Sequence, residues 1–156
     1  MRTSFTLREI VMKCRKARIL VIDDDEGIRR VLSTVLEDAG HLVDTAKDGE
    51  DAIQRSATTT YDLALIDIRL PDMDGTKLLT MMKDSSPRTV KIIVTGYPTL
   101  QNAVQAVKKG ADGYITKPVD MERLLETISY HLRQSKAQKP AVWSHRPRKN
   151  GRGKKS

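Results

Sequence analysis

An open, doubly wound α/β fold around a parallel sheet is what this sequence predicts, on three observations. Strand-like apolar runs alternate with amphipathic helical stretches five times between residues 18 and 134. Strict alternation of this kind implies parallel strands joined by right-handed crossovers. The first, third and fourth runs are nearly continuous in apolar residues, as expected of strands covered on both faces. A chain of 156 residues also falls well short of the roughly 250 that a closed βα barrel needs.

The expected strands are 18–23 (RILVID), 42–45 (LVDT), 62–67 (DLALID), 91–95 (KIIVT) and 113–116 (GYIT). After the first, Ile28, Val31, Leu32, Val35, Leu36 and Ala39 recur at the spacing of one helix face, and Gly40 stops the helix. Asp48 ahead of Gly49-Glu50-Asp51 opens a second, shorter helix. Asp74 before Gly75 opens a third, with Leu78, Leu79 and Met82 inward. Thr99 caps a fourth that runs through Ala103, Val104 and Val107 to Gly110. Asp120 caps the last, with Met121, Leu124, Leu125, Ile128 and Leu132 inward.

The chain has room for one domain and not comfortably for two. We expect a globular unit at 17–134, an amino-terminal extension at 1–16 that is a short helix or disordered, and a basic disordered tail at 135–156. Met12 is an alternative start to Met1. The net charge of +8 is unevenly spread: residues 1–18 hold six Lys/Arg against one acid, 135–156 hold eight against none, and 19–134 hold fourteen against nineteen. An acidic globule thus carries two basic ends. Cys14 is the sole cysteine, which excludes an internal disulfide and suits a reducing, cytoplasmic setting. No apolar run approaches the ~20 residues of a membrane span, and the first residues lack the apolar stretch of a signal peptide.

Chemistry gathers at the carboxyl ends of the strands. Asp23, Asp24 and Asp25 follow the first, Asp67 ends the third, Thr95 the fourth, and Lys117-Pro118 the fifth. A parallel sheet brings these ends to one crevice, where ligands bind at the reversal of strand order. Carboxylates 4 Å apart repel by roughly 4 kcal/mol at an effective dielectric of about 20, so such a cluster calls for a cation. Oxygen ligands on loops suit Mg²⁺, which takes one or two carboxylates, keeps several waters and also binds phosphate. Helix capping accounts for one of the three consecutive acids, best Asp25, but does not require three. Asp67 is also of the type that acts as a nucleophile in aspartyl-phosphate chemistry. Lys117 at the mouth of an anionic crevice can hold a phosphate as a point charge, and the bond to Pro118 is a candidate for the cis form.

The segments ILVIDDDEGIRRVL, LALIDIRLPDMDG, KIIVTGY and DGYITKP, in this order and spacing, resemble the receiver domain of two-component response regulators over about residues 17–134. The resemblance implies a flavodoxin-like (βα)5 fold with strand order 2-1-3-4-5. It implies that Asp67 accepts a phosphoryl group from a sensor histidine kinase or phosphotransfer protein, with self-phosphorylation and self-dephosphorylation as the domain's own chemistry and no other enzymatic activity. It assigns Mg²⁺ to Asp24, Asp23, Asp67 and the backbone carbonyl of Arg69, and the phosphoryl oxygens to Thr95 and Lys117. Thr95 and Tyr114 become the switch pair, and Arg69 and Tyr97 the positions that tune acyl-phosphate lifetime. The surface of the fourth helix, fifth strand and fifth helix would signal to a downstream protein or form a homodimer.

A rival from another class is a haloacid-dehalogenase-like phosphatase with Asp23 as nucleophile and Asp25 as acid/base. That motif wants Thr or Val where Gly27 stands and a paired acidic motif after the lysine, where only Asp120 and Glu122 follow. About 22 residues after the last helix are too few for a DNA-reading module, so we expect a single-domain regulator acting on another protein. The basic tail with Trp143 offers a second output, binding of nucleic acid through phosphate contacts.

Overall fold

The computed structural model describes residues 16–145 of the chain, with side chains through residue 135. Five strands alternate with five helices: β1 (Arg18–Ile22), α1 (Glu26–Asp38), β2 (Leu42–Ala46), α2 (Gly49–Thr58), β3 (Leu63–Ile66), α3 (Gly75–Ser85), β4 (Val90–Thr95), α4 (Leu100–Lys108), β5 (Gly113–Thr116) and α5 (Met121–His145). All four pairings are parallel, and the strands stand in the order β2-β1-β3-β4-β5. This is the expected fold and strand order.

Strand periodicity divides the core in two. Ile19, Val21, Leu63, Leu65, Ile92 and Val94 point to one face, where Leu32 and Leu36 of α1 and Leu124, Leu125, Ile128 and Leu132 of α5 cover them. Leu20, Ile22, Ala64, Ile66 and Ile93 point to the other, beneath Ala52 of α2, Leu78, Leu79 and Met82 of α3 and Ala106 of α4. Each fully buried large aliphatic side chain contributes roughly 1.5–3 kcal/mol relative to exposure. Apart from the acids at the strand ends, a lysine is buried among the described residues: Lys91 lies at the start of β4, and its ammonium donates to the carbonyls of Ser86 and Thr89 at 2.8 and 2.7 Å, just past the end of α3.

The caps lie at the expected residues. Asp25, Asp48, Asp74 and Thr99 each accept a backbone N–H of the helix they open, and Asp120 accepts the N–H of Arg123 at 3.1 Å. Gly40 and Gly110 take the left-handed conformation (φ 97° and 103°) that ends α1 and α4.

Three details differ from expectation. Val31 is half exposed while Leu32 and Leu36 are buried, because α1 rests on the sheet along a narrower stripe than its apolar residues mark. In α4 the buried residue is Ala106, whereas Val104 and Val107 face outward; a small side chain lets that helix approach the sheet closely. The last helix runs on to His145, past residue 134 where the globular unit was expected to end. The stretch RQSKAQK is made mostly of good helix formers and continues the backbone pattern. The expected extension through residue 15, the choice between Met1 and Met12, and the end of the tail from residue 146 lie outside the described residues. Among the described residues no helix is long and apolar enough to cross a membrane.

Candidate functional site

Strand register builds the site. Ile22 pairs with Ile66 across β1 and β3, so the next residue of each strand, Asp23 and Asp67, emerge side by side. The backbone enforces this, with Asp67 N–H donating to the Ile22 carbonyl at 3.0 Å and Asp23 N–H to the Ala46 carbonyl at 3.1 Å. Thr95 ends β4 opposite Thr116, and Lys117 N–H donates to the Thr95 carbonyl at 2.8 Å. The Lys117–Pro118 peptide bond is cis.

Carboxylate oxygens of Asp23, Asp24 and Asp67 lie within 4.8 Å of one another. Asp23 and Asp67 are buried and Asp24 is exposed at the rim. The two buried acids are held very differently. Asp23 accepts the Asp25 N–H at 2.9 Å on one oxygen and the Lys117 ammonium at 2.7 Å on the other. Among the described residues Asp67 has only long contacts, Lys117 Nζ at 3.5 Å and the Arg69 N–H at 3.5 Å. Burial, and then the Asp23 charge, push the Asp67 carboxyl above the usual aspartate value, against the opposing pull of Lys117. Burial works to lower the Lys117 ammonium, but its bond and charge contact with Asp23, with help from Asp67, hold it above the usual lysine value. One lysine thus serves two buried acids, with a third at the rim. Such an excess of convergent carboxylate oxygen fits a divalent cation.

Around this core, Thr95 is fully buried and its Oγ accepts the Tyr97 N–H at 2.9 Å, which leaves the hydroxyl proton to donate elsewhere. Tyr114 is partly buried against the α2–α4 side of the core, and its hydroxyl is enclosed without a hydrogen bond among the described residues. Burial raises that phenol above its usual value. Arg69 is exposed, and its guanidinium stacks over the Tyr97 ring at 3.7 Å, joining the turns after β3 and β4. Asp25 turns away from the cluster to cap α1, accepting the Ile28 N–H at 3.1 Å. That removes the acid/base the phosphatase reading needs.

Two contributions were not legible in the sequence. The Arg29 guanidinium donates to the Asp23 carbonyl at 2.7 Å from one turn up α1, although its spacing marks only a polar helix face. Asp72 reads as an ordinary turn residue, yet its carboxylate accepts the N–H groups of Gly49 and Glu50.

Residues 19–129 match the family profile of the response regulator receiver domain. The regulatory protein AtoC of Escherichia coli (strain K12) is 39% identical over 107 residues, 69% of this chain and 23% of its own length. The transcriptional regulatory protein DltR of Streptococcus agalactiae is 36% identical over 118 residues, 76% of this chain and 53% of its own. The chain therefore spans between about a quarter and a half of these curated relatives. Among solved structures, a CheY-like response regulator receiver domain protein from Methanospirillum hungatei JF-1 superposes with a TM-score of 0.77 at 39% identity, covering 80% of this chain and 99% of that one. Profile, relatives and superposition agree, and the chain belongs to the response regulator receiver domain family of two-component signal transduction.

Proposed function

We propose that Asp67 is the phosphoacceptor of this receiver domain, and that a phosphohistidine on a sensor kinase or phosphotransfer protein is the donor. The observation that carries the assignment is the contrast between the two buried acids: Asp23 is tied by two short hydrogen bonds, while Asp67 keeps its lone pairs on loose contacts. In the transfer an Asp67 carboxylate oxygen forms a bond to phosphorus as the phosphorus–nitrogen bond of the donor breaks. The electron pair of that bond leaves with the imidazole. The transition state is loose, so positioning and charge neutralisation supply most of the catalysis.

Asp23, Asp24, Asp67 and the Arg69 carbonyl would hold Mg²⁺, which when bound offsets charge on the transferring phosphoryl group. Lys117 already sits between Asp23 and Asp67 and is in reach of a phosphoryl oxygen carried on Asp67. The free hydroxyl proton of Thr95 suits a second phosphoryl oxygen. Closing on it would cost Thr95 its bond from the Tyr97 N–H, which gives the turn after β4 two arrangements and Tyr114 a neighbour that moves. Phosphorylation adds about two negative charges at one point, enough to bias such a switch toward a new α4–β5–α5 surface. The Arg69–Tyr97 stack supports a role for that pair in limiting water attack on the acyl phosphate.

The test is labelling by a small acyl-phosphate donor with Mg²⁺, read by intact mass. The unchanged chain gains one phosphoryl group, and Asp67→Asn gains none that survives. Equal uptake by that variant overturns the assignment.

A further inference from the structure

The turn between β3 and α3 carries both Asp67 and Arg69, so its geometry bears directly on the acid cluster. It is short and tightly closed: Gly75 N–H donates to the Ile68 carbonyl at 2.6 Å, and Arg69 bridges to Asp74. A side chain at Gly75 would collide with the backbone of Asp67 and Ile68, so glycine here allows the helix to start against the reacting residue. In its middle the turn is fastened to a different element. Asp72 spans two consecutive backbone groups of α2, accepting the Gly49 N–H on Oδ1 and the Glu50 N–H on Oδ2, each at 2.9 Å. Those N–H groups, Gly49 foremost, help hold the Asp72 carboxyl below the usual aspartate value.

Helix α2 has little need of this contact. Asp48 caps it by accepting the Asp51 N–H at 2.8 Å, and Asp51 reaches back to the Lys47 N–H at 3.1 Å, a reciprocal capping pair. The exposed Glu50 N–H is readily satisfied by water, and Gly49 is buried where Met73 of the turn itself lies against it. The gain therefore goes to the turn. Met73, the next residue, adds an apolar contact, for its Cγ and Cε lie 2.6 Å from where a Cβ on Gly49 would sit. Glycine at that place makes room for the methionine; its backbone conformation does not require it, since no positive φ occurs there.

We propose that Asp72 is a positioning residue for the divalent site, holding the β3–α3 turn on α2 so that the Arg69 carbonyl and the Asp67 carboxylate converge with Asp23 and Asp24. It touches none of the reacting atoms and acts through the backbone it anchors. The proposal rests on the site reading above.

Calorimetric titration of the full chain with Mg²⁺ tests it, with Asp72→Ala compared with Asp84→Asn, which removes an exposed acid on α3. The dissociation constant rises about tenfold in Asp72→Ala, the scale seen when groups supporting metal ligands are removed, and stays unchanged in Asp84→Asn. In Asp72→Ala the amides of Gly49, Glu50 and the turn exchange faster with solvent, and the labelling rate recovers at saturating Mg²⁺, so half-saturation moves and the maximum does not. An unchanged dissociation constant in Asp72→Ala overturns the proposal. So does an equal weakening in both variants, which marks a loss of negative charge alone. Failure of the unchanged chain to bind Mg²⁺ at all instead removes the site reading beneath it.

Discussion

Two aspartates one residue past paired isoleucines end in opposite situations. Asp23 accepts two short hydrogen bonds and serves as a fixed anion against Lys117, while Asp67 is buried, loosely contacted and repelled by its neighbour. A carboxylate in that condition is destabilised in the ground state, which suits a nucleophile and costs the fold. Asp67→Asn should therefore raise the melting temperature in Mg²⁺-free buffer by about 2–5 °C, the shift expected of about 1 kcal/mol in a domain of this size. Thermal melts read by circular dichroism check this, and a lower melting temperature would show that the cluster is not strained by like charge. Adding Mg²⁺ should raise the melting temperature of the unchanged chain and leave that of the variant nearly where it was, because binding to the folded state alone stabilises it.

At the scale of elements, α1 separates two roles that adjacent acids could share. Asp25 caps the helix and Asp23 faces the crevice. Asp25→Ala should lower stability by about 1 kcal/mol, the usual loss at an N-cap, and still accept one phosphoryl group from a small donor. Denaturant melts and intact mass read the two outcomes, and loss of labelling at full folding would return Asp25 to the chemistry. The caps, the glycine stops and the inward residues of α3 and α5 were legible beforehand because each is a short-range pattern. The outward turn of Val31, Val104 and Val107 was not. Apolar spacing marks a face of a helix, but the width of the buried stripe is set by how closely the helix lies on the sheet.

For the whole molecule, one buried group links stability to pH away from the acid cluster. His41, between α1 and β2, accepts the Ala17 N–H on Nδ1 at 3.1 Å, and burial lowers its pKa from 6.5 against the opposing Asp62 charge. An imidazolium has no lone pair left for that bond. With the folded pKa below the unfolded one, the unfolded chain takes up a proton first as pH falls. The His41 contribution is therefore complete above pH 6.5 and is lost as pH falls from there through the folded pKa. Urea midpoints between pH 8 and pH 5 should fall at the low end. The fall should be smaller in His41→Gln, and an equal fall in that variant would assign it to other groups.

Alternation of strand and helix, the residue types at the strand ends and the helix caps are local properties, and the sequence alone determined them, together with the family resemblance they carry. Only tertiary structure decided that Asp23 stands beside Asp67, that one lysine serves both, that Arg29 reaches the Asp23 carbonyl and that Asp72 fastens its turn to a helix 22 and 23 residues earlier in the chain. Those contacts depend on strand register and on the approach of loops distant in sequence. Periodicity says which way a side chain faces along its own element, and the neighbour it meets is chosen by the packing of the whole sheet.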